Sequence, residues 1–242
     1  MASALSPQPS LRVTVLGSGT SHGVPSIGCD CAVCRSTDPK DQRTRPSILL
    51  ELQPDEDAAQ SAFAGAVRSI LVDTSTDLRT QALANDIRRV DAILFTHSHA
   101  DHVFGLDDVR RFNQMQQGSI PCIAGAFSLG GVEIVPVPLF HGRLPVLGFR
   151  LGTFAYLTDC NRIPDESWPL LDGIRTIVLD ALRHRPHSTH FSVSEAVAVV
   201  ARLGAERAYL THICHDLPHA ETNAQLPAGV ELAYDGLVLD VS

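Results

Sequence analysis

The most informative stretch of the sequence reads Thr96-His97-Ser98-His99-Ala100-Asp101-His102. It follows an apolar run at residues 91–95 that predicts a short buried strand. Alternate residues of an extended segment point to one side, so His97, His99 and Asp101 can converge on one metal ion. His102 can reach a second ion if the chain bends there. Imidazole and carboxylate ligands suit zinc, manganese or iron, and zinc is the usual ion of a histidine-rich set.

Composition favours an ordinary globular protein. The chain has 242 residues, 44% hydrophobic and 19% charged, which suits one large domain or two small ones. No apolar run is long enough to span a membrane, and the N-terminus lacks the pattern of a signal peptide. We therefore expect residues 1–10 to be a disordered lead and residues 11–242 to form one cytoplasmic domain. The formal net charge of −8 disfavours a protein that grips nucleic acid.

Apolar runs and turn residues predict that strands and helices are interspersed along the chain. The strand at 11–16 leads into a glycine-rich loop at 17–23, and a helix at 193–203 begins at Ser192, with Glu195 completing a capping box. Further strands are predicted at 47–51, 69–72, 92–95, 120–124, 132–138, 146–151, 153–158, 207–211, 230–233 and 236–241, and further helices at 76–88 and 105–116. This mixture indicates an α/β fold in a single domain.

Three of the six cysteines lie within six residues, at Cys29, Cys31 and Cys34. In a chain without an export signal, this crowding indicates thiolate ligation of a metal rather than disulfides. Three thiolates are one ligand short of a tetrahedral structural zinc site. Spacing alone leaves two candidates for the fourth ligand, His215 and Cys214. The alternative is three free thiols on an exposed loop, which would be prone to oxidation.

Other histidines and aspartates also follow apolar runs. His141, Asp159 and His212 each come at the end of a predicted strand, and Asp73 follows another. Each residue alone could equally be an ordinary surface or core residue, and Asp73 could be a simple turn residue. Together with the 96–102 motif, they predict a site at the edge of a sheet, where rigid strands support functional side chains.

This pattern resembles the metallo-β-lactamase superfamily of hydrolases over nearly the whole chain. The resemblance implies an αββα sandwich with two divalent ions, zinc or manganese, at one edge. The residues that match the ligands of the first ion are His97, His99 and His141. Those that match the ligands of the second ion are Asp101, His102 and His212. Asp159 matches a carboxylate that bridges the ions, which can hold a hydroxide between them when they are about 3.5–4 Å apart. Asp73 matches a residue that orients a ligand histidine.

The opening Gly17-Ser-Gly-Thr-Ser-His-Gly-Val-Pro-Ser-Ile-Gly-Cys-Asp-Cys-Ala-Val-Cys34 resembles a narrower group. It is similar to the cyclic phosphodiesterases of the carbon–phosphorus lyase pathway. That resemblance implies one structural zinc in a loop at about 24–45, held by the three cysteines and a histidine that matches His215. It also implies a dinuclear phosphodiesterase that hydrolyses small, cyclic phosphodiesters, and it suggests a homodimer.

A further histidine of that group assists catalysis near the phosphate, and His190 occupies its place just before the helix at 193–203. A histidine there can protonate the leaving oxygen, and the helix N-terminus favours an anion. His187 and His184 are weaker candidates for the same role.

The chain departs from the group after residues 120–124, where the family usually has another helix and strand. The short connection to His141 leaves the pocket walls and any subunit interface there uncertain. Alternative functions are a ribonuclease that processes transfer-RNA 3′ ends, an acyl or lactam hydrolase, and a non-enzymatic metal-binding protein. The ribonuclease would need an RNA-binding arm and a basic surface, which the sequence lacks.

Overall fold

The computed structural model describes residues 10–52, 68–123, 125–129 and 132–241, so nearly all of the predicted N-terminal lead lies outside it. Among these residues, two β-sheets face each other. The strands are β1 (Leu11–Gly17), β2 (Ser47–Leu52), β3 (Arg68–Val72), β4 (Ala92–Leu94), β5 (Cys122–Ile123), β6 (Phe127–Leu129), β7 (Val132–His141), β8 (Leu144–Leu151), β9 (Phe154–Leu157), β10 (Thr176–Asp180), β11 (Arg207–Thr211), β12 (Val230–Leu232) and β13 (Val238–Val241). The α-helices are α1 (Leu78–Ala84), α2 (Ala100–Val103), α3 (Val109–Gln116), α4 (Val193–Leu203) and α5 (His219–Asn223).

The first sheet has the strand order β13-β1-β2-β3-β4-β5. Its pairs are antiparallel from β13 to β3 and parallel from β3 to β5. Successive side chains of a strand point to opposite faces. In β2, Ile48 and Leu50 therefore pack between the two sheets, while Leu49 packs on the outer face. Both faces of the sheet are covered, which explains why its strands read as continuous apolar runs.

The second sheet has the order β12-β11-β10-β9-β8-β7-β6. Strands β6 to β9 pair antiparallel and β9 to β12 pair parallel. In β10, Val178 packs between the sheets, whereas Ile177 and Leu179 pack on the outer face. The carboxyl ends of β7, β9, β10 and β11 consequently lie at the same edge of this sheet.

Helices cover the outer faces of both sheets. Leu78 of α1 and Phe112 of α3 pack against the first sheet, and Ala196 and Val200 of α4 pack against the second. The layers are therefore helix, sheet, sheet and helix, and the predicted αββα sandwich is confirmed. Among the described residues, no helix is long and apolar enough to cross a membrane.

Two predicted helices differ from the structure, and four strands and α-helices were not predicted, namely β6, β10, α2 and α5. The predicted helix at 105–116 divides into a 3-10 helix, Phe104–Asp108, and α3, because Gly105 packs closely on the backbone of Ser75 and donates its N–H to Thr74. The predicted helix at 76–88 is shorter, since the Asn85 side chain donates to the backbone of Gln81 and competes with helix continuation.

Candidate metal centre

The predicted site residues lie where strands of both sheets end. Asp73 follows β3, His97 lies three residues beyond β4, His141 ends β7, Asp159 lies just beyond β9 and His212 follows β11. Asp73, Asp159 and His212 adopt left-handed backbone conformations with φ of 63°, 51° and 60°. Residues other than glycine rarely hold such angles, and they persist where the surroundings fix them, often at functional sites.

Asp159 lies at the middle of the cluster. Three sets of ligand atoms each lie within 4.8 Å of one another, and Asp159 belongs to all of them. The other members are His97 and His99 in the first set, His102 and His212 in the second, and His141 and His190 in the third. A carboxylate shared in this way is suitably placed to bridge two ions.

His141 of the third set lies close to the first set, and Asp101 lies beside the second. The His141 ring centroid is 5.2 Å from that of His99 and 5.8 Å from that of His97, and Asp101 Oδ2 is 3.4 Å from His102 Nε2. All seven residues predicted to bind the two ions therefore meet at one edge of the sandwich. The structure differs from the prediction in that His190 lies nearer the ligands than a separate proton donor would need to.

Several ring nitrogens at this centre have no hydrogen-bond partner among the described residues, although they are buried. These atoms are His97 Nε2, His102 Nε2 and His212 Nδ1. They lie 3.9, 3.1 and 3.0 Å from carboxylate oxygens of Asp159, in geometries that do not form hydrogen bonds. An unsatisfied buried polar atom costs about 1–3 kcal/mol. Nitrogen and oxygen donors that converge without bonding one another fit the needs of divalent ions such as zinc or manganese.

The electrostatics of the cluster suit metal binding. Burial lowers the pKa of His97 to about 3, and His102 adds to this effect, so the imidazole is neutral at pH 7. Burial alone would raise the pKa of Asp159, but His212 and His102 hold it well below its ordinary value. Neutral imidazole and ionised carboxylate are the forms that ligate metals. His97 and Asp159 are already in these forms. Burial opposes a charge on His102, but Asp159 and Asp73 raise its pKa well above the ordinary value, so a metal ion must displace a proton from His102.

Asp73 is fully buried and lies behind His102. Its Oδ2 atom is 2.6 Å from His102 Nδ1, and its carboxylate accepts hydrogen bonds from the backbone N–H and the hydroxyl of Thr96. These contacts fix the imidazole so that Nε2 faces the cluster. This is the orienting arrangement expected of a carboxylate behind a ligand histidine.

His190 is held by a residue that the sequence analysis missed. Its Nδ1 lies 2.9 Å from Oδ2 of Asp180, the last residue of β10, and the N–H of Phe191 donates to the other carboxylate oxygen. Burial raises the pKa of Asp180 well above its ordinary value and lowers that of His190. Both shifts favour a pair that shares one proton and keeps an N–H on His190 Nε2. The signal was present, because Asp180 follows an apolar run in the same way as Asp159 and His212.

The weaker candidates, His187 and His184, lie outside all three ligand sets. The His187 ring is 5.2 Å from that of His190, but its Nδ1 already contacts the N–H and hydroxyl of Thr189. His184 is exposed.

The cysteine loop forms a second cluster. The Nδ1 atom of His215 lies 3.1, 3.4 and 3.5 Å from the Sγ atoms of Cys29, Cys31 and Cys34. These four residues could hold one ion. The Sγ atom of Cys214 instead accepts a hydrogen bond from the Asp216 N–H and lies outside the cluster. The structure therefore places His215, rather than Cys214, beside the three cysteines.

The thiols of this cluster differ in acidity. The hydrogen bond from the Cys34 N–H lowers the pKa of Cys31 to about 6, whereas burial raises the pKa of Cys34 to about 11. A thiolate is therefore already favoured at Cys31 before any ion binds, and a zinc ion stabilises the others as it is bound.

The family described as the β-lactamase superfamily domain matches residues 68–126 and 119–213, which is more than half of the chain. The chain belongs to this superfamily. The family matches in two pieces that meet at 119–126, where the sequence analysis places the shortened connection. The chain is similar to a protein whose structure is described as the crystal structure of a new diphosphatase from the PhnP family. The two sequences are 43% identical, and the two structures superpose with a TM-score of 0.87. The match covers 96% of this chain and 97% of that one. Both predicted resemblances and the class of metal-dependent hydrolase are confirmed.

Other similar proteins are more distant or longer. An octanoyltransferase of Porphyromonas gingivalis is 34% identical over 262 aligned positions, which cover 94% of this chain but 51% of that protein. The chain therefore spans about half the length of this curated relative. The short form of human tRNase Z is 18% identical, with a TM-score of 0.62, and covers 94% of this chain and 98% of that one. That likeness shows the shared fold alone.

Proposed function

We propose that this protein is a dinuclear metal-dependent hydrolase of small phosphodiesters. The observation that carries the proposal is the position of Asp159, whose carboxylate belongs to three sets of ligand atoms beside the Asp180–His190 pair. The ions would be zinc or manganese, held by the seven residues that meet at the edge of the sandwich. A separate structural zinc would be held by the three cysteines and His215.

Two bound ions would supply a strongly polarised water and would neutralise charge on the phosphate oxygens. The chain's own residues orient the ligands and supply the proton for the leaving oxygen. Asp73 keeps His102 in one orientation, and Asp180 keeps a proton available at Nε2 of His190. That N–H can donate to the oxygen that leaves phosphorus, which needs a proton as its bond breaks.

A cavity of about 430 Å³ lies beside His190 and supports binding of the rest of the substrate there. Arg183, Arg185, His22 and His187 line it, and Asp216 is the carboxylate at its wall. Arg185 pairs with Asp216 at 3.3 Å, whereas Arg183 donates to two backbone carbonyls and has no ion pair among the described residues. A polar cavity of this size and charge suits a small anionic molecule. It supports a small phosphodiester rather than a long nucleic acid.

The diphosphatase similarity adds a second linkage to the candidates. A diphosphate bridge also contains phosphorus bonded to two ester-type oxygens, so the same groups can assist its cleavage. We therefore include dinucleotides joined by a diphosphate beside cyclic phosphodiesters.

A substrate panel tests the proposal directly. Purified protein, loaded with zinc or manganese, would be incubated with 2′,3′-cyclic AMP, bis(p-nitrophenyl) phosphate, NAD and a precursor transfer RNA. We expect metal-dependent hydrolysis of one or more of the three small substrates and none of the RNA. Exclusive cleavage of the RNA would favour the ribonuclease alternative. Absence of hydrolysis with every metal and substrate would contradict the proposal.

A further inference from the structure

One short loop carries ligands of both proposed metal centres. His212 belongs to the catalytic cluster and His215, three residues later, belongs to the cysteine cluster. His212 also has a left-handed backbone with φ of 60°. Such a conformation is strained and persists only when surrounding contacts hold it. The contacts that fix this loop therefore set the positions of ligands in both metal centres.

Backbone hydrogen bonds join Ile213 to Ser18 and Thr20, and Cys214 to Leu182. Arg43 adds two side-chain contacts to the same loop. Its side chain is 0% exposed. It donates one hydrogen bond to the carbonyl of Cys214 at 2.9 Å and another to the carbonyl of Leu217 at 2.7 Å. These two acceptors flank His215. The guanidinium thus ties the loop together on both sides of the ligand that serves the cysteine cluster.

Asp41 extends the same contact. Its carboxylate lies 3.1 Å from the Arg43 guanidinium and accepts the backbone N–H of His219 at 2.9 Å. The backbone of Arg43 exchanges two hydrogen bonds with Val24, at the start of the cysteine loop. Arg43 therefore connects the cysteine loop to the His212–His215 loop.

The burial of this pair has a cost. Desolvation lowers the pKa of Arg43, and Asp41 only partly offsets that effect. A buried ion pair seldom adds much net stability over apolar residues of similar size, and it can instead fix one specific geometry. The geometry fixed here is the position of two metal-ligand histidines.

We propose that Arg43 is a positioning residue that couples the two metal centres. It sets the loop so that His215 completes the cysteine cluster while His212 faces Asp159. This inference rests on the proposed metal centres. It predicts that losing Arg43 weakens the thiolate site and one catalytic site, the one that uses His212, while the other catalytic site keeps its affinity.

The test is a metal titration of three variants and the wild type. Metal-free wild type, Arg43→Met, Arg43→Lys and Arg150→Met would be titrated with cobalt(II). The thiolate-to-cobalt absorption band reports the cysteine site, and calorimetry reports all sites. Arg150→Met is a matched control, because Arg150 also donates to two backbone carbonyls, those of Gly152 and Leu170, away from the metal clusters.

In Arg43→Met we expect affinities about tenfold weaker at the thiolate site and at one catalytic site, with the third unchanged. In Arg43→Lys the same two affinities should weaken, but by less. If Arg43→Met does not fold, the affinities of Arg43→Lys test the inference. Arg150→Met should match the wild type. Unchanged affinities in both Arg43 variants, or equal weakening of all three sites, would overturn the inference. Fewer than three ions bound by the wild type would instead count against the proposed function.

Discussion

The two metal-ligand clusters of this protein are built in opposite ways. Three members of the cysteine cluster lie within six residues of one loop, and the fourth, His215, comes from the loop that follows β11. The histidine–aspartate cluster takes its donors from positions 97 to 212, at the ends of strands in both sheets, and it opens beside a cavity. A closed set with four protein ligands suits stability, whereas an open set on rigid strands suits catalysis.

Loss of one catalytic ligand should give the largest effect, a loss of activity with almost no loss of stability. In His97→Ala we expect hydrolysis to fall by a factor of roughly 10³ or more, because one ion loses a ligand, while the thermal unfolding midpoint changes little. Initial rates and melting curves would be compared with those of His184→Ala, an exposed histidine outside the clusters. Near-normal activity in His97→Ala would remove the distinction between the clusters.

Loss of one thiolate should give the reverse result. In Cys31→Ala we expect one zinc fewer per chain and a loss of roughly 4 kcal/mol in the free energy of unfolding, because loop closure depends on that ion. Metal analysis and denaturant unfolding measure both effects. Cys122→Ala, at an exposed cysteine outside the cluster, is the control. A variant with full zinc content and wild-type stability would show that the loop does not need the ion.

The Asp180–His190 pair offers a finer test within the catalytic cluster. In Asp180→Asn we expect kcat to fall about 10–100-fold with little change in KM or metal content, because His190 loses the carboxylate that orients it. Steady-state kinetics would be set against Asp172→Asn, at an exposed aspartate. An equal loss of bound metal would assign Asp180 to metal binding instead.

The same pair predicts a pH dependence. Burial raises the pKa of Asp180, so the pair retains its shared proton well above the ordinary range of a carboxyl group. Activity should fall as pH rises through the pKa of the pair, since Nε2 of His190 then lacks its proton. In Asp180→Asn this alkaline limb should disappear, because the amide does not ionise and can donate to Nδ1 of a neutral His190, which then keeps its proton on Nε2. Rate profiles from about pH 5 to about pH 10 would show it. A limb that stays in place would point to another group.

The smallest expected effect concerns the helix after His190. Ser192 caps α4, accepting from the Glu195 N–H, while the Glu195 carboxylate accepts the Ser192 N–H. Ser192→Ala should cost about 1 kcal/mol of stability. Chemical denaturation measures it, and metal content and kcat should stay within twofold. A large loss of activity would mean that helix capping helps to position His190.

The α/β class and most candidate ligands could be predicted from the residues themselves, because one rule applied repeatedly. The αββα sandwich and the division of the ligands between two ions came from the resemblance to the superfamily. Buried strands read as apolar runs, and functional side chains follow them, as His97, Asp159 and His212 do. The rule was not applied to residues 176–180, so Asp180 was missed. That run is only a few residues long, and short apolar runs are ambiguous between strand and core helix.

Other features depend on three-dimensional geometry that spacing does not contain. Cys214 and His215 were equivalent by spacing, and the structure separates them because His215, not Cys214, lies against the three thiols. The sharing of Asp159 among three sets is likewise a property of two sheets meeting at an edge. Residue positions along the chain do not reveal which carboxylate occupies the centre.

The short connection between β5 and β6 affects how the substrate range of this enzyme can change in evolution. β5 ends at Ile123 on the margin of one sheet, and β6 begins at Phe127 on the margin of the other. The family match is interrupted at the same place. Since the metal-ligand candidates on either side are anchored by β4 and β7, evolution can lengthen or shorten this crossing without disturbing them. New substrate ranges can therefore arise by remodelling this margin while the hydrolytic machinery is inherited intact.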